Sequence, residues 1–344
     1  MNKLERFRAT IERKPVDRPA FWLGLPVADA LPALLRHFGA ADLRDLYVKA
    51  GDDVYPVEFP YHSPAGDAIY MAFDWAGAGK QDDHHRTLGG EGFFAGCEDV
   101  AKVEEFLWPD PALYIDRDLC RRNAKAAPRG RANLGMVWSC HFQDACAAFG
   151  MENALIALFE APDVFRAVMD RITDFYLRAN GIFYEATKGN LEAVLMGNDY
   201  GCQIGLMLSR GQIAEFALPW TKKLVDQAHD HGLKVIHHSC GAIRDIIPDL
   251  IALGVDAVHP IQALAKGMDA AGLKRDFGES ISFCGGIDAQ ELLVNGTPAQ
   301  LREKVHELRA LFPTGLILSP SHEAILPDVP LENVSAMIKA ALER

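Results

Sequence analysis

The sequence predicts an α/β fold, a single (β/α)8 TIM barrel spanning residues 1–344, on three observations. From residue 112 onward, short apolar runs alternate with longer amphipathic segments, which is the rhythm of parallel βαβ units. With two runs near the N-terminus the candidates number eight, enough to close a barrel. Polar, ligand-capable residues recur at the C-terminal ends of these runs while the runs themselves stay apolar, as they do where a barrel builds its site. A doubly wound open sheet is the alternative. It is disfavoured because no glycine-rich phosphate turn follows an early strand.

Taken in order, the chain begins with a helical segment that the prolines of Arg13-Lys14-Pro15-Val16-Asp17-Arg18-Pro19 stop. Phe21–Leu23 is the first strand. Ala28–Phe38 and Ala41–Ala50 read as amphipathic helices, and Asp53–Val57 as the second strand. Residues 65–110 are rich in Gly, Asp and His and are expected to form an insertion or lid of short strands near the barrel mouth. Adjacent His84 and His85 would point apart in a strand, so a solvated loop is expected there rather than a second metal site. The remaining strands are Asn133–Trp138, Ala193–Asp199, Lys234–Cys240, Asp256–Pro260, Ile281–Asp288 and Leu316–Ser319. Helices are expected between them: two or three over Ala145–Thr187, one long helix over Arg210–His231, then Ile243–Leu253, Met268–Phe277, residues 289–311 and Glu332–Leu342.

A formal net charge of −12 argues against a nucleic-acid partner, which needs a basic face. No apolar run approaches the ~20 residues of a membrane span, and the N-terminus has no signal-peptide core. Seven scattered cysteines suit reduced thiols and a cytoplasmic address better than a disulfide scaffold.

The most chemically loaded stretch is Lys234-Val235-Ile236-His237-His238-Ser239-Cys240-Gly241. Strand alternation places Ile236, His238 and Cys240 on one face and Val235, His237 and Ser239 on the other. An imidazole and a thiol on one face at a strand's end can converge on one ion, and Zn²⁺ accepts both N and S donors. The bland alternative is a buried thiol beside a hydrogen-bonded histidine. Other strand ends supply Asn198-Asp199-Tyr200, His259-Pro260-Ile261-Gln262, Cys284-Gly285-Gly286-Ile287-Asp288 and Ser319-Pro320-Ser321-His322-Glu323. Asp199, Tyr200, Gln262 and Asp288 are the candidates for acid–base work or substrate anchoring, although Asp288, one residue before a helix, would also serve as an N-cap.

Gly197-Asn198-Asp199, His238-Ser239-Cys240-Gly241, Gly254-Val255-Asp256 with Pro260-Ile261-Gln262, Gly285-Gly286-Ile287-Asp288, and Pro327-Asp328-Val329-Pro330-Leu331-Glu332-Asn333 resemble the uroporphyrinogen decarboxylase superfamily. The resemblance runs from about Trp138 to the C-terminus and implies a (β/α)8 barrel. The superfamily has two chemistries: cofactor-free decarboxylation of uroporphyrinogen, and corrinoid-linked methyl transfer in which Zn²⁺ on a His-x-Cys pair and a later Cys activates a thiol.

The decarboxylase branch carries a Trp-Met-Arg-Gln-Ala-Gly-Arg motif whose arginines hold substrate carboxylates. Here the matching stretch, Phe21-Trp22-Leu23-Gly24-Leu25-Pro26-Val27, has no arginine. The resemblance therefore implies the methyltransferase branch, with His238 and Cys240 as zinc ligands. The later Cys is replaced, and His322 is the expected third ligand, with Cys284 and Glu323 as the less favoured choices. The chain lacks an Asp-x-His-x-x-Gly corrinoid motif, so a corrinoid would arrive on a partner protein, alongside a small-molecule substrate and with a homodimer as an option. A lyase (decarboxylase) and a non-catalytic metal- or small-molecule-binding barrel are the competing expectations.

Overall fold

The computed structural model describes residues 1–77 and 90–343. Its centre is a barrel of eight parallel strands: β1 (Ala20–Phe21), β2 (Val54–Glu58), β3 (Ala132–Trp138), β4 (Ala193–Gly197), β5 (Lys234–His238), β6 (Ala257–Ile261), β7 (Ser282–Ile287) and β8 (Leu316–Pro320). The order around the sheet is β1-β8-β7-β6-β5-β4-β3-β2, and every pairing is parallel. All eight strands fall where the sequence places them. Every residue of β4, β6, β7 and β8 is buried, because a parallel barrel strand packs against side chains on one face and helices on the other.

One seam lacks a regular ladder. Between β1 and β2 the Asp53 N–H donates to the Phe21 carbonyl (2.9 Å), and side chains complete the junction. Asp53 Oδ2 accepts from the Phe21 N–H (2.9 Å), and Asp52 Oδ2 accepts from the Leu23 N–H (3.1 Å). Asp53 is fully buried, and its charge is matched by Arg6 (2.6 Å) and Arg18 (2.7 Å). Arg6 belongs to α1 (Lys3–Ile11), a helix started by an Asn2–Glu5 capping box. The apolar face of α1 puts Phe7 and Ile11 under the barrel, against inward-facing Ala20, Val54 and Ile317.

Two expectations are corrected. Among the described residues, 65–77 and 90–110 contain no strand. They form turns and the 3₁₀ segments Ile69–Met71 and Val100–Glu105. An aromatic cluster organises them instead: Phe73 stacks on Trp75 (4.7 Å) and packs on Phe175 of helix Pro162–Ala186 (4.8 Å), while Phe94 meets Phe149 (5.8 Å). Rings buried against helices need no ladder to anchor the chain. His84 and His85 lie outside the described residues. The expected single helix over Arg210–His231 is two, Arg210–Phe216 and Leu218–Asp230. Pro219 has no N–H to continue the first helix and suits the first turn of the second.

The seven cysteines are all free. Among the described residues no helix is long and apolar enough to cross a membrane.

Asp53→Ala would strip Arg18 of its carboxylate, leave Arg6 with Asp17 alone, and unpin the seam. It is expected to lower stability by about 3–5 kcal/mol, read as a shift in the denaturation midpoint. A change within about 0.5 kcal/mol, the range of a surface substitution, would show that the seam closes without it.

Candidate metal centre

β5 and β6 run in register, with Ile236 opposite Ala257 and His238 opposite His259. Ile236 and Ala257 point into the barrel, so two residues on, His238 and His259 do as well, at the C-terminal mouth. Val235 and His237 face the helices, where His237 stacks on Tyr200 (5.9 Å). The alternation expected from the sequence is the one found.

The turn after β5 is held by backbone hydrogen bonds. Cys240 N–H donates to Asp199 Oδ1 (2.8 Å), Gly241 N–H to Gln262 Oε1 (2.5 Å) and Ser239 N–H to the His259 carbonyl (2.8 Å). Gly241 adopts φ +85°, and a Cβ there would meet the carbonyl carbon of Gly201 at 2.4 Å. On the far side, Glu323 follows β8. Its carbonyl accepts from the Leu25 N–H (2.6 Å), and the approach is open because Gly24 has no Cβ to meet that oxygen.

Among the described residues two compact donor sets result, and they share His238. Asp199, His238 and Cys240 form one, and His238, His259 and Glu323 the other, with the donor atoms of each set within 4.8 Å of one another. In the first, His238 Nε2 lies 3.5 Å from Cys240 Sγ and 3.3 Å from Asp199 Oδ1. A tetrahedral ion with Zn–N near 2.0–2.1 Å and Zn–S near 2.3 Å separates its donors by about 3.5 Å for N and S and about 3.4 Å for N and O. The first set therefore fits Zn²⁺. In the second, His238 Nδ1 lies 2.8 Å from His259 Nδ1 and 3.7 Å from Glu323 Oε2.

The cluster also polarises its members. Burial pushes the Cys240 thiol up, but hydrogen bonds with His238 and His322 outweigh it and hold the thiol below its ordinary range. Burial disfavours the His238 cation, yet Glu323 and Asp199 raise its pKa well above the usual value. Burial would raise Asp199 too, but contacts with His238 and the Cys240 N–H bring it down to about 2. Burial and the charge on His238 drive His259 well below the imidazole range. A thiol with a lowered pKa beside a carboxylate gives sulfur and oxygen donors, both of which Zn²⁺ accepts.

The other expected residues divide clearly. His322 is close to Cys240, with which it shares a hydrogen bond that raises its own pKa. Its Nδ1 accepts from the Ala324 N–H (3.1 Å), and it belongs to neither compact set. Glu323 is in the second set. Cys284 is fully buried inside the barrel, burial pushes its thiol up, and it joins neither set. Gln262 anchors the Gly241 turn. Tyr200 is placed away from the mouth, buried among helices with its hydroxyl on Thr221 Oγ1 (3.1 Å). Asp288 uses both carboxylate oxygens on the N–H groups of Gln290, Glu291 and Leu292 and so holds the turn before helix Leu292–Asn295; the N-cap position expected for it belongs to Glu291.

Three residues at the site went unread in the sequence as functional. His259 carried a signal, since it repeats the two-residue step of Ala257 beside His238. Gln143, which donates to Asp199 Oδ2 (3.1 Å), carried none, because a helix N-terminal glutamine is unremarkable. Trp138 ends β3 at φ +55°, followed by Ser139 at φ +36°, both rare for side-chain-bearing residues. This backbone directs the indole to His238, edge to face at 5.9 Å, with Tyr70 on its other side at 6.5 Å. Beside Trp138 lies a cavity of about 470 Å³, lined by Leu25, Pro26, Tyr55 and Met136, with Arg44 and Glu58 also on its wall.

A parallel eight-stranded barrel with ligand-grade side chains converging at its C-terminal mouth is the arrangement in which this fold builds its sites. Residues 94–344 match the uroporphyrinogen decarboxylase (URO-D) family, and the chain belongs to that family. Among solved structures it is similar to a methyltransferase from Methanosarcina mazei, at 16% identity and TM-score 0.71, covering 99% of this chain and 98% of that one. It is also similar to a candidate vitamin-B12-independent methionine synthase from Listeria monocytogenes, at 11% identity and TM-score 0.49, covering 94% and 98%. No curated protein sequence matches.

Cys240→Ser is expected to lower Zn²⁺ affinity at least 10-fold while the barrel stays folded, measured by competition with a chromogenic chelator. Cys284→Ala should leave zinc binding nearly intact. Loss of zinc from the Cys284 variant alone would move the site into the barrel interior.

Proposed function

We propose that this URO-D family protein is a zinc-dependent methyltransferase acting on a thiol substrate, with the methyl group brought by a separate corrinoid protein. The observation that carries the reading is the first donor set. At the barrel mouth His238 Nε2 stands 3.5 Å from Cys240 Sγ and 3.3 Å from Asp199 Oδ1, the separations that ligands of one zinc ion hold. His238 and Cys240 would hold the ion, with Asp199 as third ligand in this arrangement and His322 the alternative. Bound Zn²⁺ supplies one thing, a lowered pKa for a thiol placed at its open position.

The chain's own residues do the rest. Gln143 fixes the second Asp199 oxygen, so the first stays directed at His238 and the Cys240 turn. His322, half-exposed beside Cys240, is placed to accept a proton from an arriving thiol and pass it to solvent. Trp138 forms an apolar wall next to His238, and the adjoining cavity would receive the body of the substrate. Residues 65–77 would flank the mouth, through Tyr70 against Trp138. The Methanosarcina neighbour, named a methyltransferase, supports this reading through shared fold.

Decarboxylation of uroporphyrinogen, which the family name suggests, needs cationic partners for eight carboxylates. Leu23 to Val27 supply none after β1, and among the described residues the cavity wall offers the one guanidinium of Arg44. The expected result with uroporphyrinogen is no measurable coproporphyrinogen. Formation at an ordinary enzymatic rate, roughly 0.1–10 per second, would restore the decarboxylase reading. In parallel, elemental analysis should find zinc in the purified protein. Thiol methylation from a methylated corrinoid protein should stop on chelation and return with zinc. A protein that takes up no zinc when supplied with it would overturn the proposal.

A further inference from the structure

Given a thiol methyltransferase site, as proposed above, we infer that its substrate is an amphiphilic acid whose apolar, ring-bearing body lies through the barrel wall and whose carboxylate is held by Arg44. β1 is two residues long, and the chain beyond Gly24 turns away to pair Leu25–Pro26 with Ala324–Ile325. β2 runs on to Glu58, and among the described residues its ladder partner is β3 alone. The wall is therefore open between Leu25–Pro26 and the upper part of β2, and the cavity of about 470 Å³ occupies that gap.

Its lining comes from both sides of the wall. Met136 belongs to the cluster inside the barrel, against which Leu25 and Trp138 also pack. Tyr47 and Val57 belong to the layer between strands and helices. At ~30 Å³ for each water-sized group there is room for about fifteen, far more than a short-chain thiol fills. The rings of Tyr47, Tyr55 and Trp138 favour a flat apolar body. The charges stand at opposite ends. Two steps of two from inward-facing Val54, Glu58 takes the inner side of β2 and is exposed. Arg44 is at the outer end, on helix Leu43–Ala50, where its Nε donates to the Ala126 carbonyl (2.8 Å). Among the described residues neither Arg44 nor Glu58 makes an ion pair, so the Nη atoms of Arg44 are left for a ligand. A carboxylate attracted by Arg44 and repelled by Glu58 turns outward, which sends the thiol inward past Trp138 to His238.

The first experiment is calorimetric binding of hydrocinnamate, which has the ring and the charge but no sulfur. The wild type should bind it. Arg44→Gln should weaken it about 10-fold and leave the uncharged hydrocinnamamide unaffected, whereas Ala126→Trp, which fills the outer end of the cavity, should weaken both. Both substitutions are at exposed positions, and an unchanged circular dichroism spectrum and melting temperature would certify the folds. No binding by the wild type, or equal affinity of Arg44→Gln for the acid, would overturn the proposal. The second experiment adds para-mercaptohydrocinnamate to Co²⁺-loaded protein. The thiolate-to-cobalt charge-transfer band should strengthen in the wild type and stay unchanged in Ala126→Trp. A bound probe that leaves the wild-type band unchanged would detach the cavity from the metal centre and overturn the substrate assignment. A protein that takes up no metal yet binds hydrocinnamate through Arg44 would instead remove the methyl-transfer reading and uphold the ligand class of the cavity.

Discussion

The fold depends on a buried carboxylate. Asp53 sits where β1 and β2 must meet without a regular ladder, and it bonds at once to the Phe21 backbone and to two guanidinium groups. A charge so deep in a protein survives only if its partners are fixed, and here one comes from the helix that floors the barrel. Closing the seam, plugging the base and neutralising the charge are therefore a single event. With the ring closed, the staggered strands bring eight C-terminal ends to one mouth, and every later feature of the site follows from that convergence.

At the mouth, the functional side chains are positioned mainly by main-chain hydrogen bonds. Asp199 accepts from the Cys240 N–H, Gln262 from the Gly241 N–H, and the His259 carbonyl from the Ser239 N–H. Each of these links one strand end to its neighbour, so β4, β5 and β6 hold one another's termini. The donor atoms of the first set thus reach ligating separations through the scaffold itself, the kind of preorganisation a binding site requires. Trp138 adds a different element. Its left-handed backbone stores local strain, and the return is an aromatic wall against His238.

Membership of the URO-D family constrains the chemistry less than the local residues do. A shared barrel can host unrelated reactions, and the reaction is read from the site. The loop after β1, Leu23 to Val27, offers no cation for an acidic tetrapyrrole, while the loop after β5 offers an imidazole and a thiol at metal-binding separation. That contrast is the ground of the proposal of metal-assisted thiol activation on this scaffold.

The sequence determined the barrel. Its short, continuous apolar runs had to become buried parallel strands, and the His238-x-Cys240 spacing alone put both side chains on one face. The shared strand face of Ile236 and His238 was equally local, and so legible. Which residues meet across strands was not local. His259 faces His238 because β5 and β6 share a register, Asp199 reaches Cys240 because β4 ends beside β5, and Tyr200 turns away because its backbone N–H is tied to Ser239. The aromatic packing that replaces the strands expected around residues 65–110 likewise depends on helix Pro162–Ala186, far along the chain. Periodicity fixes the direction of a side chain relative to its own strand. Only closure of the ring, with its particular stagger, decides which neighbours lie in that direction.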